Sequence, residues 1–225
     1  MRKAAGKCRF LIVSLLFVML FTSQAFAIYT NVGVPASTSY VSAKNKNKNK
    51  KVYIFVGDSR TMHMTESTVK AKDDCAFVWK NGGSVSCIGK GGDLTGKLDT
   101  MIRKYRKNCV VILNFGVNGN GNPKSNAKNI KKIYNSWIKK YPKVKFYVES
   151  VNPTSRTTSP YKNSNVNKVN AELKKAFKDR YIDMNAWLIR KKYVNTKNGR
   201  GTTDGLHYTY VVYQKILDHT KTLAK

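Results

Sequence analysis

Acidic residues are scarce in this chain. Of its 225 residues, 12 are aspartate or glutamate against 42 lysines and arginines, a formal net charge of +30. That shortage excludes an acidic solvating protein and makes an anionic neighbourhood the expected setting. Histidine is scarcer still, with only His63, His207 and His219 available as a general base. There is no CxxC and no neighbouring His–Cys pair, so a zinc site has no footing, and no metal or cofactor is expected. The basic residues come without heptads, a basic zipper or any recognisable nucleic-acid motif, so nucleic acid is not the expected anion. Disorder is excluded for most of the chain by a hydrophobic content of 41% and an aromatic content of 11%.

The one long apolar run, residues 10–21 (FLIVSLLFVMLF), follows a basic start carrying Arg2, Lys3, Lys7 and Arg9 and precedes Ala25-Phe26-Ala27. This is the three-part plan of a secretory signal peptide, residues 1–27, with cleavage expected near Ala27 and the product secreted or held at the cell envelope. As a helix the run would rise about 18 Å, short of the roughly 30 Å hydrocarbon core of a bilayer. Beyond it stand 38 basic residues against 12 acidic ones. Residues 28–51 are a polar leader ending in a lysine–asparagine repeat, which reads as a solvated basic linker able to associate with anionic cell-wall polymer or a membrane surface. A lysine- and asparagine-rich style of the whole sequence accounts for the charge equally well. Three cysteines follow the signal segment, Cys75, Cys87 and Cys109, so at least one thiol is unpaired within the chain. A hairpin of residues 75–80 and 84–88 around Asn81-Gly82 would bring Cys75 opposite Cys87, and either a disulfide or buried thiols fit there.

From residue 52 onward short apolar runs alternate with amphipathic stretches. Residues 52–56 (VYIFV), 84–88, 110–115 (VVILNF), 145–151 (KFYVESV) and 181–184 are expected strands. Residues 94–105, 127–141, 165–177 and 209–223 carry apolar positions at helical spacing. Alternation of this kind implies an α/β fold, a three-layer α/β/α sandwich around a parallel sheet, over residues 52–225. Ligands of such sheets sit outside the carboxyl ends of the strands.

Four pieces of sequence fall at those ends. Gly57-Asp58-Ser59-Arg60 follows the first strand. Ser59 there is placed to be a nucleophile, although by itself the tripeptide is read more economically as a helix N-cap. Gly89-Lys90-Gly91-Gly92-Asp93 reads as a turn whose N–H groups suit an oxyanion; it lacks the third glycine of a dinucleotide fingerprint and the ending of a phosphate loop. Asn118 follows the third strand in Gly116-Val117-Asn118-Gly119, its amide a possible second donor. Asp204-Gly205-Leu206-His207 precedes the last helix, a spacing that lets a carboxylate hold Nδ1–H and leave Nε2 to take a proton. His63, four residues after Ser59, is the rival base, and His219 reads as a solvated residue.

Together the four resemble the SGNH, or GDSL, hydrolases over essentially all of residues 52–225. The resemblance implies a flavodoxin-like sheet, with Ser59 as nucleophile, His207 as general base and Asp204 as its orienter. It further implies an oxyanion hole from the Ser59 N–H, a glycine N–H at Gly91 or Gly92, and Asn118. The sequence departs from the family pattern in having Arg60 where leucine is usual, Gly119 where aspartate is frequent, and no asparagine leading the second block. The expected activity is hydrolysis of a carboxylic ester through an acyl-enzyme, with an acylated carbohydrate or other small ester as substrate. A lipase or lysophospholipase, an acyltransferase on the same fold, and a non-catalytic module binding anionic polymer are the alternatives. The Asp204 charge leads to the expectation that His207 titrates at or above a free histidine.

Overall fold

The computed structural model describes residues 38–44, 50–67, 74–119, 122–157, 161–194 and 204–225. The expected signal segment and most of the lysine–asparagine repeat lie outside them.

Six strands form one sheet in the order β1-β3-β2-β4-β5-β6. They are β1 Thr38–Val41, β2 Val52–Gly57, β3 Cys75–Lys80, β4 Cys109–Asn114, β5 Lys145–Glu149 and β6 Tyr181–Ile182. β2 to β6 are mutually parallel, and β1 pairs antiparallel with β3 at the edge, Thr38 opposite Lys80. The five parallel strands have the flavodoxin-like order, whose switch point lies between β2 and β4.

β2 and β4 are continuous apolar runs because both of their faces are covered. Ile54, Val56, Val111 and Leu113 enter one core, while Phe55, Val110 and Ile112 enter the other. The first core is closed by α2 (Thr95–Tyr105), α3 (Pro123–Lys140) and α4 (Asn163–Phe177), through Leu98, Ile130, Trp137, Val169 and Leu173. The second is closed by α1 (Ser59–Ser67), α5 (Met184–Arg190) and α6 (Tyr210–Leu223), through Met62, Leu188, Val212, Ile216 and Leu217. Trp137 shows how tightly a helix is keyed to its neighbours: its ring is buried and its Nε1 donates to the Ile88 carbonyl at 2.8 Å. Truncating such a residue to alanine costs about 3–5 kcal/mol.

Three expectations need correction. The second strand is Cys75–Lys80, and Val85–Ile88 is a single 3-10 turn. The hairpin is therefore absent, and Cys75, Cys87 and Cys109 are all free and buried. Burial pushes the Cys109 thiol up to about 12 and the Cys75 thiol higher still, so neither is a thiolate at neutral pH. Finally, residues 38–41 of the expected linker form the edge strand, and the fifth strand stops at Ile182 because Asp183 caps α5, its Oδ1 accepting the Ala186 N–H at 3.1 Å.

Candidate active site

β2 ends in a turn so tight that only glycine fits. A Cβ on Gly57 would lie 2.1 Å from Thr61 Oγ1 and 2.4 Å from the Asn114 carbonyl. Asp58, fully buried, then caps α1: its Oδ1 accepts the Arg60 N–H at 3.0 Å and its carbonyl accepts the Met62 N–H at 3.1 Å. With the cap supplied by Asp58, the Ser59 hydroxyl has no capping duty. It faces the imidazole of His207, Oγ to Nε2 2.8 Å.

The partner loop is built around Asp204. Its Oδ1 accepts the N–H groups of Leu206 at 2.8 Å and His207 at 2.7 Å, and its Oδ2 lies 2.9 Å from His207 Nδ1. Gly205 makes this curl possible, with φ +82° and a position where a Cβ would meet Arg156 Cγ at 2.8 Å. Arg156, from the loop after β5, donates through Nη2 to Asp204 Oδ2 and through Nε to the Asp204 carbonyl, both at 3.2 Å. The structure thus brings Ser59, His207 and Asp204 into one hydrogen-bonded chain. With the carboxylate ionised, Nδ1 carries the proton and Nε2 accepts from the serine, the arrangement that lets an imidazole remove a hydroxyl proton.

Burial pushes the Asp204 carboxyl up, but the N–H groups of His207 and Leu206 and the imidazole outweigh it and hold it well below the usual carboxylate range. His207 moves the other way from the expectation. Burial lowers it below an ordinary histidine, with help from the His63 and Arg60 charges, and the Asp204 bond only partly offsets this. His63 does not replace His207. Its ring packs on the His207 ring with centroids 4.6 Å apart and lies parallel to Tyr213. His219 stacks on Trp187, centroids 4.4 Å apart.

Asn118 stands in the loop after β4, and its Nδ2 donates to the Gly83 carbonyl at 3.0 Å. Gly83 belongs to the loop after β3. Because β2 lies between these strands, the bond joins the loops on either side of the Ser59 turn, and one N–H of the amide is left for another acceptor. The glycine turn expected to meet Asn118 is set further on. The Gly92 N–H donates to the Gly89 carbonyl at 2.9 Å, whereas Gly91 has φ +76° and open space where a Cβ would stand.

Gly83 was hidden from sequence reasoning by the misread second strand; once β3 is placed at 75–80, Asn81-Gly82-Gly83 is the segment that follows it. Arg60 and Glu149 were also missed. Arg60 is 1% exposed, and its guanidinium donates to three carbonyls, Leu206 (3.2 Å), Asn152 (2.8 Å) and Pro153 (3.5 Å). Glu149, at the end of β5, accepts from Asn114, Asn152 and Thr220. Burial pushes Glu149 up to about 7 and Asp58 up to about 6. Among the described residues no cluster of three His, Cys, Asp or Glu side chains is arranged to hold a metal.

A serine, an imidazole and a carboxylate chained at the carboxyl edge of a doubly covered parallel sheet form an arrangement able to support nucleophilic hydrolysis. The family follows from the sequence match: residues 22–220 fit the model for GDSL-like Lipase/Acylhydrolase, and the chain belongs to that family of ester hydrolases. No functionally curated protein matches the sequence. Among solved structures it is similar to a GDSL-like lipase from Bacteroides thetaiotaomicron, at 15% identity and TM-score 0.56, over 81% of this chain and 91% of that one. It is similar to the C-terminal catalytic domain of Streptococcus pneumoniae peptidoglycan O-acetyltransferase A, at 17% identity and TM-score 0.52, over 78% and 92%. It is also similar to an acetyl-xylooligosaccharide esterase from Geobacillus, at 13% identity and TM-score 0.50, over 82% and 95%.

Proposed function

We propose that this chain is an exported serine esterase that removes acetyl or other short acyl groups from a carbohydrate through an acyl-enzyme on Ser59. The observation that carries the reading is the continuous chain Asp204–His207–Ser59, with contacts of 2.9 and 2.8 Å. In this scheme Ser59 Oγ attacks the ester carbonyl while its proton passes to His207 Nε2. The tetrahedral intermediate collapses as the imidazolium returns that proton to the departing sugar oxygen. Water then gives its proton to Nε2, its oxygen attacks the acyl carbon, and the acid leaves as Ser59 Oγ is reprotonated. The oxyanion donors are the Ser59 N–H at the start of α1, the Asn118 amide, and a glycine N–H. Of Gly91 and Gly92 the former suits better, since the Gly92 N–H is already engaged.

The carbohydrate and the acetyl group are supported by the names of two structural neighbours, one an acetyl-xylooligosaccharide esterase and one a peptidoglycan O-acetyltransferase. An acyltransferase would use the same acyl-enzyme with a sugar hydroxyl in place of water. Association with anionic cell-envelope polymer is supported by a cavity of about 740 Å³ between α3 and α4, bordered by Lys124, Lys128, Lys131 and Lys175 with Glu172 as the one acid.

The test is labelling by a fluorophosphonate probe with mapping of the labelled residue, alongside turnover of p-nitrophenyl acetate and longer-chain esters. The expected result is label on Ser59 and preference for the acetyl ester, both lost in Ser59→Ala. Label on another residue, or none with intact protein, overturns the assignment. A preference for long acyl chains would favour a lipase.

A further inference from the structure

Asp58, Arg60 and Glu149 are the buried charged side chains among the described residues, and the esterase scheme above uses none of them. Arg60 occupies the motif position where leucine is usual. A leucine would fill the space without a charge to desolvate, and burying a guanidinium is costly unless hydrogen bonds and counter-charges compensate it. Here they do. Nε, Nη1 and Nη2 each reach a main-chain carbonyl, the guanidinium lies 5.7 Å from the centre of the Tyr208 ring, and the Asp58 and Glu149 carboxyls face the charge.

The three carbonyls are not scattered. Asn152 and Pro153 open the loop after β5 that carries Arg156, and Tyr208 OH also donates to the Pro153 carbonyl. Leu206 supplies the carbonyl of the peptide unit that leads into His207. That same peptide unit gives its N–H, at the His207 end, to Asp204 Oδ1 at 2.7 Å. The Leu206–His207 peptide is therefore gripped at both ends, by Arg60 on its oxygen and Asp204 on its nitrogen. Arg60 is also the residue next to Ser59, so one side chain ties the turn that presents Ser59 to the peptide that presents His207, 147 positions along the chain.

We propose that Arg60 is a positioning residue for proton transfer between Ser59 and His207, holding the two loops in register and setting a fixed positive charge behind the imidazole. The proposal rests on the esterase reading of the site. The charge acts on His207 in company with Asp204 in its own loop, His63 from α1, and Arg156, which shares the Asp204 carboxylate. Asp58 and Glu149 face Arg60 itself. A positive charge near the imidazole disfavours its protonated form, so it extends the range of pH over which His207 is a competent base.

The experiment compares Arg60→Lys and Arg60→Leu with the parent, using acetyl-ester kinetics across pH normalised to the number of fluorophosphonate-reactive sites. Arg60→Lys keeps the charge but cannot reach three carbonyls, and is expected to lose about tenfold in kcat with KM within twofold and the acid limb of the profile unmoved. Arg60→Leu is expected to lose on the order of 100-fold in kcat per reactive site and to move the acid limb to higher pH. If Arg60 only stabilised the fold, fewer sites would react but each would turn over at the parental rate with the parental profile. Such a result in Arg60→Leu overturns the proposal. Should Arg60→Leu fail to fold, an Arg60→Lys protein with parental kcat per site overturns it and a tenfold loss at unchanged KM upholds it. Failure of the esterase reading is seen separately, as absence of Ser59 labelling in the parent.

Discussion

The two edges of the sheet follow different rules. At the carboxyl edge, buried polar side chains accumulate (Asp58, Arg60, Asn114, Glu149 and Asn152), and the bonds of Arg60 to Asn152 and of Asn114 to Glu149 join segments far apart in sequence. At the amino edge, where α2 and α4 hand over to β4 and β6, the chain turns through Arg106 and Lys178 with φ of 52° and 48°. Those turns use positive-φ backbone that glycine would enter without strain, and both residues are exposed. The first edge has its polar groups organised around a serine and an imidazole, while the second tolerates local strain because nothing there needs fine placement. Substitutions at the first edge should therefore be read in rate, and at the second in stability.

The largest expected effects fall on the serine and the imidazole. Ser59→Ala and His207→Ala should each lower kcat by about 10⁴–10⁶, and the double variant should be little worse than either, because the pair acts as a unit. His63→Ala should stay within about tenfold of the parent, since the bonds from Asp204 and to Ser59 both run through His207 while the His63 ring stacks beside it and Tyr213. Steady-state kinetics on an acetyl ester with matched circular dichroism spectra checks both, and a His63 variant as damaged as the His207 variant would shift the base to α1.

Next in size is the oxyanion side, read together with pH. Asn118→Ala should cost roughly 10²–10³ in kcat with KM little changed and the pH profile in place, because the lost amide does not titrate. In the parent, kcat/KM should fall on the acid side as His207 protonates. Since burial lowers that histidine, the midpoint should lie below the ~6.5 of a free imidazole, and Asp204 stays ionised throughout. Asp204→Asn should instead lose about 10⁴ in rate by favouring the wrong tautomer. An acid limb above that of free histidine would mean that the carboxylate dominates burial after all.

What could be read from the sequence, and what could not, divides along the same line. β2 and β4 were legible because strands covered on both faces read as continuous apolar runs, β5 because its centre Phe146-Tyr147-Val148 does so, and α2, α3, α4 and α6 because their buried stripes repeat at helical spacing. β1 was not, since TSYV has no pattern of its own and is a strand only by pairing with β3. The seven residues of α5 are too few to show a period. Within the site, Ser59, Asp204 and His207 were legible because each sits in a short local motif. Arg60 and Gly83 were not, because their meaning lies in contacts with Leu206 and Asn118, 146 and 35 positions away.

A smaller effect should come from Glu149, which belongs to the carboxyl edge but is read in stability. Its folded-state value, about 7, lies above the 4.5 of the unfolded chain. The folded protein therefore holds this proton more tightly, and the associated stability is fully present below about pH 4.5 and lost as pH rises through about 7. Asp58 adds a drift of the same sign up to about 6. Glu149→Gln should flatten the decline by up to about 3 kcal/mol. Its carbonyl can accept from Asn114 and Asn152 at the Oε1 position while its amide donates to Thr220 Oγ1, a hydroxyl free to reverse its role. Chemical denaturation at several pH values between 4.5 and 8 measures this, and an unchanged slope in the variant would place the titration elsewhere.

The smallest effects, and opposite in sign, belong to the amino edge. Arg106 caps α2 by donating its N–H to the Ile102 carbonyl, and Lys178 caps α4 in the same way through the Lys174 carbonyl. Neither bond involves the side chain. Glycine in either place keeps the main-chain bond, removes the Cβ that makes a positive φ unfavourable, and gives up only a solvated cation. Against this stands the greater freedom of glycine in the unfolded chain, about 0.5–1 kcal/mol, so the net gain is the strain released less that amount, on the order of 1 kcal/mol for each site. The two sites precede different strands and share no partner, so Arg106→Gly and Lys178→Gly should add when combined. Denaturant midpoints of the singles and the double should rise in that order with kcat unchanged. A fall in stability at either site would show that the side chain, and not only the backbone, holds that turn.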